Sequence, residues 1–295
     1  MPRTRTNGIE IEYETFGSKE DSPLVLINGL GAQLVSWPEK FCGKLAKAGH
    51  FVIRFDNRDV GLTTRLDDAP VPNLPEAVET LKQGGKLDAP YLLSHMAADV
   101  VGLMDSLDME KAHICGISMG GMIAQTVAIE YPRRLEGLVS LESTTGEPGL
   151  PLAKDGVREA MLKPVPSERE AHIRHRLEIY GLFSGGSERF DQEYQREVLA
   201  RSYDRSFYPA GFARQYVAIL ASGSRKQALA SVDLPALVIH GDMDALIRPE
   251  HGKDTAESIR GAEFIVIKGL GHGMAYPYLW GEIAGAITAH TKKKR

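Results

Sequence analysis

The sequence predicts an α/β protein, a mostly parallel sheet flanked by helices with one helical insertion. Two observations carry that reading. Short, largely apolar runs at Leu24–Asn28, His50–Asp56 and Pro235–Gly241 alternate with helical stretches. Such runs suit strands covered on both faces, and strands joined by helices form parallel sheets. Between residues 146 and 231 the rhythm lapses, and charged and aromatic helical stretches follow one another with no apolar strand between them. The expected division is a core of 1–145 and 232–295 carrying a helical cap of 146–231.

Taken in order, Ile9, Ile11 and Tyr13 alternate with glutamates, the pattern of a half-buried strand. "LVLIN" ends in "NGLGAQ", and a helix is expected from Trp37 to Ala48, stopped by Gly49. The strand "HFVIRFD" follows. Beyond a stretch rich in turn formers, a short helix is expected over Pro75–Lys82. From Tyr91 to Leu107, apolar residues recur at spacings of three and four, as on an amphipathic helix. A strand, Ile114–Ile117, leads into a helix bearing Met122, Ile123 and Val127, and Leu135–Ser143 is the next strand. After the insertion come a strand at Pro235–Gly241, a helix at Pro249–Ile259, a strand at Ala262–Gly269 and a final helix at Tyr278–Thr291.

The 295 residues are 43% hydrophobic and 25% charged, an ordinary globular composition. A net charge of −4 gives no electrostatic case for nucleic acid or an anionic membrane as partner. Two cysteines, Cys42 and Cys115, offer neither a disulfide framework nor a metal site, and Cys115 reads as a small buried hydrophobe. The opening residues lack the apolar stretch of a signal peptide, and no apolar run reaches membrane-spanning length, so a cytoplasmic protein is expected. The terminal "TKKKR" reads as a solvated basic tail.

The chemistry centres on Gly116-Ile117-Ser118-Met119-Gly120, at the junction of strand and helix. A serine on so sharp a turn stands clear of the sheet. Glycine on either side leaves room for the backbone that closes in around it. Taken alone, the pattern also fits a serine that merely caps the helix, so its partners must decide. A serine hydroxyl needs a base to take its proton and a carboxylate to orient that base. In parallel sheets such groups gather after the carboxyl ends of strands.

Among nine histidines, His272 is the one that follows a buried strand, in the glycine-rich loop "KGLGHGMAYP". His50 and His113 lie at strand starts, His95 and His251 on helices, His240 inside a strand and His290 in the tail. His172 and His175 have helical ligand spacing, but with no third ligand nearby a solvated charged face is the simpler reading. "HGDMDALI" offers the acid. Asp244 is the expected one, while Asp242 is expected to shape its own turn. Glu142 is a reserve acid, or lines the pocket, or bonds loop backbone. The order serine, acid, histidine is the one found in α/β-hydrolases. The N–H groups of Met119 and of Leu30, in "NGLG", are the expected donors to a tetrahedral oxyanion. The pocket is expected near Trp37, Glu142, Phe183 and Tyr208.

With these motifs in view, the chain resembles the α/β-hydrolase superfamily over nearly its full length. It is similar to small esterases related to aclacinomycin methylesterases and cofactor-free haloperoxidases. The stretches that carry the resemblance include "LINGLGAQLVSWP", "FVIRFDNRDVGLTT", "HICGISMGGMIAQTVAIEYP", "LVIHGDMDALI" and "GLGHGMAYP". The resemblance implies that the insertion roofs the active site. Two departures are notable: Asn28 stands where many relatives have histidine, and Asp59 where many have glycine.

The expected function is carboxylic-ester hydrolysis through an acyl-enzyme on small to medium esters, with no metal or organic cofactor. By resemblance, a serine at the elbow argues against epoxide hydrolases and haloalkane dehalogenases. The same triad can serve perhydrolysis, lactone, amide or carbon–carbon hydrolysis, or acyl transfer, and fold and triad do not choose among these. A ligand-binding protein on a hydrolase scaffold is the rival from another class. The expected partner is a small-molecule ester, and the expected assembly a monomer or homodimer.

Overall fold

The computed structural model describes residues 2–293, so the last two residues of the basic tail, Lys294 and Arg295, lie outside it. The described strands are β1 (Arg3–Thr6), β2 (Ile9–Phe16), β3 (Ser22–Ile27), β4 (His50–Phe55), β5 (Ala112–Ile117), β6 (Leu135–Leu141), β7 (Ala236–Gly241) and β8 (Glu263–Ile267). They form one sheet in the order β1-β2-β4-β3-β5-β6-β7-β8. The pairs β1–β2 and β2–β4 are antiparallel, and every pairing from β4 to β8 is parallel.

Eleven helices accompany the sheet among the described residues: α1 (Glu39–Lys47), α2 (Leu74–Lys82), α3 (Leu93–Ser106), α4 (Met119–Glu130), α5 (Val157–Met161), α6 (Arg169–Phe183), α7 (Gln192–Arg205), α8 (Pro209–Ser222), α9 (Lys226–Leu229), α10 (Pro249–Ser258) and α11 (Trp280–Thr291). The apolar strands explain the layering. Because side chains alternate across a strand, Val25 and Ile27 of β3 enter one core cluster with α3 and α4. Leu24 and Leu26 enter the other, with α1 and α11.

The chain leaves β3 for β4 on one side and later returns to β5 on the other. The carboxyl ends of β3 and β5 therefore border a topological switch point, where open α/β sheets bind ligands. Gly29 and Leu30 follow one of these strands and Ser118 follows the other.

Buried polar contacts tie the helices between β6 and β7 to the loops after β3 and β4. Arg205 of α7 donates to Asp56 at 2.7 Å. Arg214 of α8 donates to both oxygens of Asp59, at 2.5 and 2.9 Å. Gln215 accepts from Gly31 N–H at 2.8 Å and donates to the Arg58 carbonyl at 2.8 Å. Asp59 thus pairs the loop after β4 with α8. At the far end of the insertion, Leu229 is packed into the main core with Val232.

Several sequence readings are corrected. Arg3–Thr6, to which the sequence reading assigned no element, is a strand paired with β2 through a two-residue turn in which Asn7 and Gly8 both have positive φ. His290 is buried on α11, with its ring 3.6 Å from Glu263, and is not part of a solvated tail. Asp242 accepts from Gly269 N–H at 2.6 Å, joining the loops after β7 and β8. His172 packs against the rings of Tyr203 and Phe207.

Candidate active site

Ser118 sits between β5 and α4 at φ 56°, ψ −121°, a conformation that costs energy in a residue bearing a Cβ. The surroundings hold it there. Its N–H donates to the Leu141 carbonyl at 2.9 Å, and its carbonyl accepts from Ser143 Oγ at 2.7 Å. The flanking glycines are required by contact: a Cβ on Gly116 would overlap the Gly120 carbonyl, and one on Gly120 would overlap the Ile27 carbonyl. Met119 is the first residue of α4, so its N–H is among those that no carbonyl within the helix can accept. Met119 is itself buried, and Leu30 lines the cavity that holds Ser118.

His272 lies in the loop after β8 and is 6% exposed. Its Nδ1 is 2.7 Å from Asp244 Oδ2. Asp244, in the loop after β7, is 1% exposed. Its Oδ1 accepts from the N–H groups of Leu246 and Ile247, at 3.0 and 2.9 Å. His240 stands behind it, with Nε2 2.7 Å from the Ile247 carbonyl and 3.4 Å from Asp244 Oδ2. Phe183 links the insertion to this loop: its carbonyl accepts from His272 N–H at 3.2 Å, and its ring meets the imidazole edge-on at 5.8 Å.

Glu142 follows β6 with φ 47° and is fully buried. Its Oε2 accepts from Gly273 N–H at 2.6 Å and lies 3.7 Å from His272 Nδ1. Two carboxylates this close cannot both ionise cheaply. Burial and then the neighbouring Asp244 raise Glu142 well above the usual carboxylate range. Burial also pushes Asp244 up, but the charge and hydrogen bonds of His272 and His240 outweigh it and leave Asp244 below its ordinary value. The negative charge therefore rests on Asp244. Burial and Asp244 disfavour the charged form of Glu142, which holds the backbone beside His272.

Ser118 and His272 face one cavity of about 240 Å³. Phe183 lines it, but the other three expected pocket residues lie elsewhere. Trp37 is fully buried in the core, with its ring stacked on Phe41 at 5.7 Å. Glu142 lies behind His272. Tyr208 lines an adjoining cavity of about 110 Å³. The sequence reading missed Arg176, Tyr180, Gln195 and Phe212, which line both cavities. On α6 the spacing of Ile173, Arg176, Tyr180 and Phe183 puts all four on one face, a signal that was present in the sequence.

Glu142, Asp244 and His272 bring potential metal-ligand atoms within 4.8 Å of one another. Their existing hydrogen bonds account for the grouping. Cys42 and Cys115 are buried and unpaired, and burial pushes the Cys42 thiol up to about 12. No helix among the described residues is long and apolar enough to cross a membrane.

Fold and site together define the class: residues 22–276 match the alpha/beta hydrolase fold family, and the chain belongs to that family. Rhodomycin D methylesterase of Streptomyces peucetius is 31% identical to it, over 95% of this chain and 94% of the relative. 3-Oxoadipate enol-lactonase 2 of Acinetobacter baylyi is 27% identical, over 85% and 82%. Among solved structures, a meta-cleavage product hydrolase from Pseudomonas fluorescens superposes with a TM-score of 0.77 at 19% identity, covering 98% of this chain and 97% of that one, a likeness of fold alone.

Proposed function

We propose that this ester-hydrolysing enzyme acts through Ser118, His272 and Asp244 and an acyl-enzyme intermediate. The observation that carries the reading is the 2.7 Å contact from His272 Nδ1 to Asp244, with the imidazole and Ser118 facing one cavity. Asp244 accepts the Nδ1 proton, which leaves Nε2 free to act as base. Ser118 Oγ loses its proton to Nε2 and attacks the ester carbonyl. The oxyanion meets the N–H groups of Met119 and Leu30. His272 returns the proton to the leaving alcohol, then activates water to release the acid. Asp244 stays ionised throughout and stabilises the imidazolium.

The methylesterase relative supports an ester as substrate. The enol-lactonase relative is compatible with the same steps, since a lactone is a cyclic ester. The cap is 146–231 in this reading, and Phe183, Tyr180 and Phe212 supply its apolar ceiling. Ser118→Ala tests the scheme: turnover of 4-nitrophenyl acetate is expected to fall by about a thousandfold or more. Wild-type-like turnover in a folded variant would remove Ser118 from the chemistry.

A further inference from the structure

Arg176 is out of place on the inner face of α6. It shares that face with Ile173, Tyr180 and Phe183, at spacings an apolar residue would normally fill. It lines the cavity beside Ser118 and also the adjoining one, so it stands where the two meet. No aspartate or glutamate lines either cavity, and Arg176 is the only arginine or lysine in both linings among the described residues.

Four other interior arginines are matched to acids, while buried Arg225 is held by Gln125 and by the Gly223 and Thr144 carbonyls. Arg54 pairs with Glu14, Arg58 with Asp99, Arg205 with Asp56 and Arg214 with Asp59. Arg176 has no carboxylate partner among the described residues. Its guanidinium carbon instead lies over the rings of Tyr180 and Phe212, 5.6 and 5.7 Å from their centres. Stacking on aromatic faces steadies the guanidinium and leaves its N–H edge available to a planar, two-oxygen acceptor. Arg176 is half-buried and faces a largely apolar cavity, so an anion that enters finds one cation and no competing carboxylate there.

We propose that Arg176 binds a free carboxylate on the substrate. The preferred esters are then half-esters of dicarboxylic acids, with the esterified carboxyl at Ser118 and the ionised one at Arg176. The inference rests on the serine-esterase reading and adds the charge of the substrate to it.

The test uses monomethyl esters of straight-chain dicarboxylic acids from succinate to suberate. Each is paired with a neutral twin in which the free carboxylate is replaced by a carboxamide, and acid release is followed by pH-stat. At the best chain length, kcat/KM for the half-ester is expected to exceed that of its twin by about tenfold or more, as a charged hydrogen-bonded pair implies. Arg176→Met should remove the difference, because KM for the half-ester rises several-fold more than KM for its carboxamide twin while kcat for the two changes alike. Arg176→Lys should keep part of the preference, because it keeps the charge and loses the planar fork. Absence of a carboxylate preference at every length, or a preference that survives in Arg176→Met, would overturn the proposal. If wild type cleaves none of these esters, 4-nitrophenyl acetate included, the esterase reading itself fails.

Discussion

Asp59→Asn takes the charge from one side of a buried ion pair and turns one of its two acceptor oxygens into a donor. Asp59 and Arg214 are 0% and 1% exposed. Besides both Arg214 contacts, Asp59 accepts from Leu66 N–H at 3.0 Å and from Tyr91 OH at 3.1 Å. Asparagine tolerates the positive φ of 69° at this position, so backbone strain stays nearly constant. What remains is an arginine with the Ala69 carbonyl and Tyr208 OH as partners and no counter-charge in contact. Breaking one side of a buried pair costs about 3–5 kcal/mol, which in a chain of this size corresponds to a fall in Tm of about 5–8 °C. Differential scanning calorimetry measures it. Adding Arg214→Met removes the orphaned cation and should recover most of the loss, because an apolar replacement of both partners is often neutral. A single variant that melts within about 1 °C of wild type, or a double variant no better than the single, would refute the assignment of this pair as the tie between insertion and core.

The remaining predictions concern protonation. Burial, reinforced by His50 and His290, lowers His113 to about 4, against about 6.5 in an unfolded chain. Between those values the unfolded chain holds a proton that the folded one lacks. Stability is thus complete above about pH 6.5 and falls on acidification toward pH 4, by up to about 3 kcal/mol. Urea titrations at several pH values should give a shallower decline for His113→Gln, and an unchanged slope would count against the shift. Glu142, disfavoured as an anion by burial and Asp244 and accepting from Gly273 N–H, predicts that Glu142→Gln keeps kcat/KM within about threefold, whereas Glu142→Ala leaves that donor unpaired and lowers it by about tenfold. Equal damage in both variants would mean that an ionised Glu142 is needed.

The sequence by itself determined the layered α/β plan, because strands covered on both faces must be apolar at nearly every position and their helices must repeat at three and four. It also singled out Ser118, Asp244 and His272 as candidates, since residues just after parallel strands converge at one end of the sheet. The edge strand Arg3–Thr6 was legible in the Asn7-Gly8 turn signal but went unread, as its polar residues carry no apolar alternation. Tertiary structure decided that the α6 face readable from spacing, and the matching face of α8, look into the cavity. That choice puts Arg176 and Phe212 on the cavity walls and leaves Tyr208 in the adjoining space. Trp37 was sent to the core for a related reason: an aromatic residue near a glycine loop can turn either way until its neighbours are placed. The pairs Asp56–Arg205 and Asp59–Arg214 lie beyond any local pattern, because each joins residues about 150 positions apart, and such partners are chosen by the packing of whole elements.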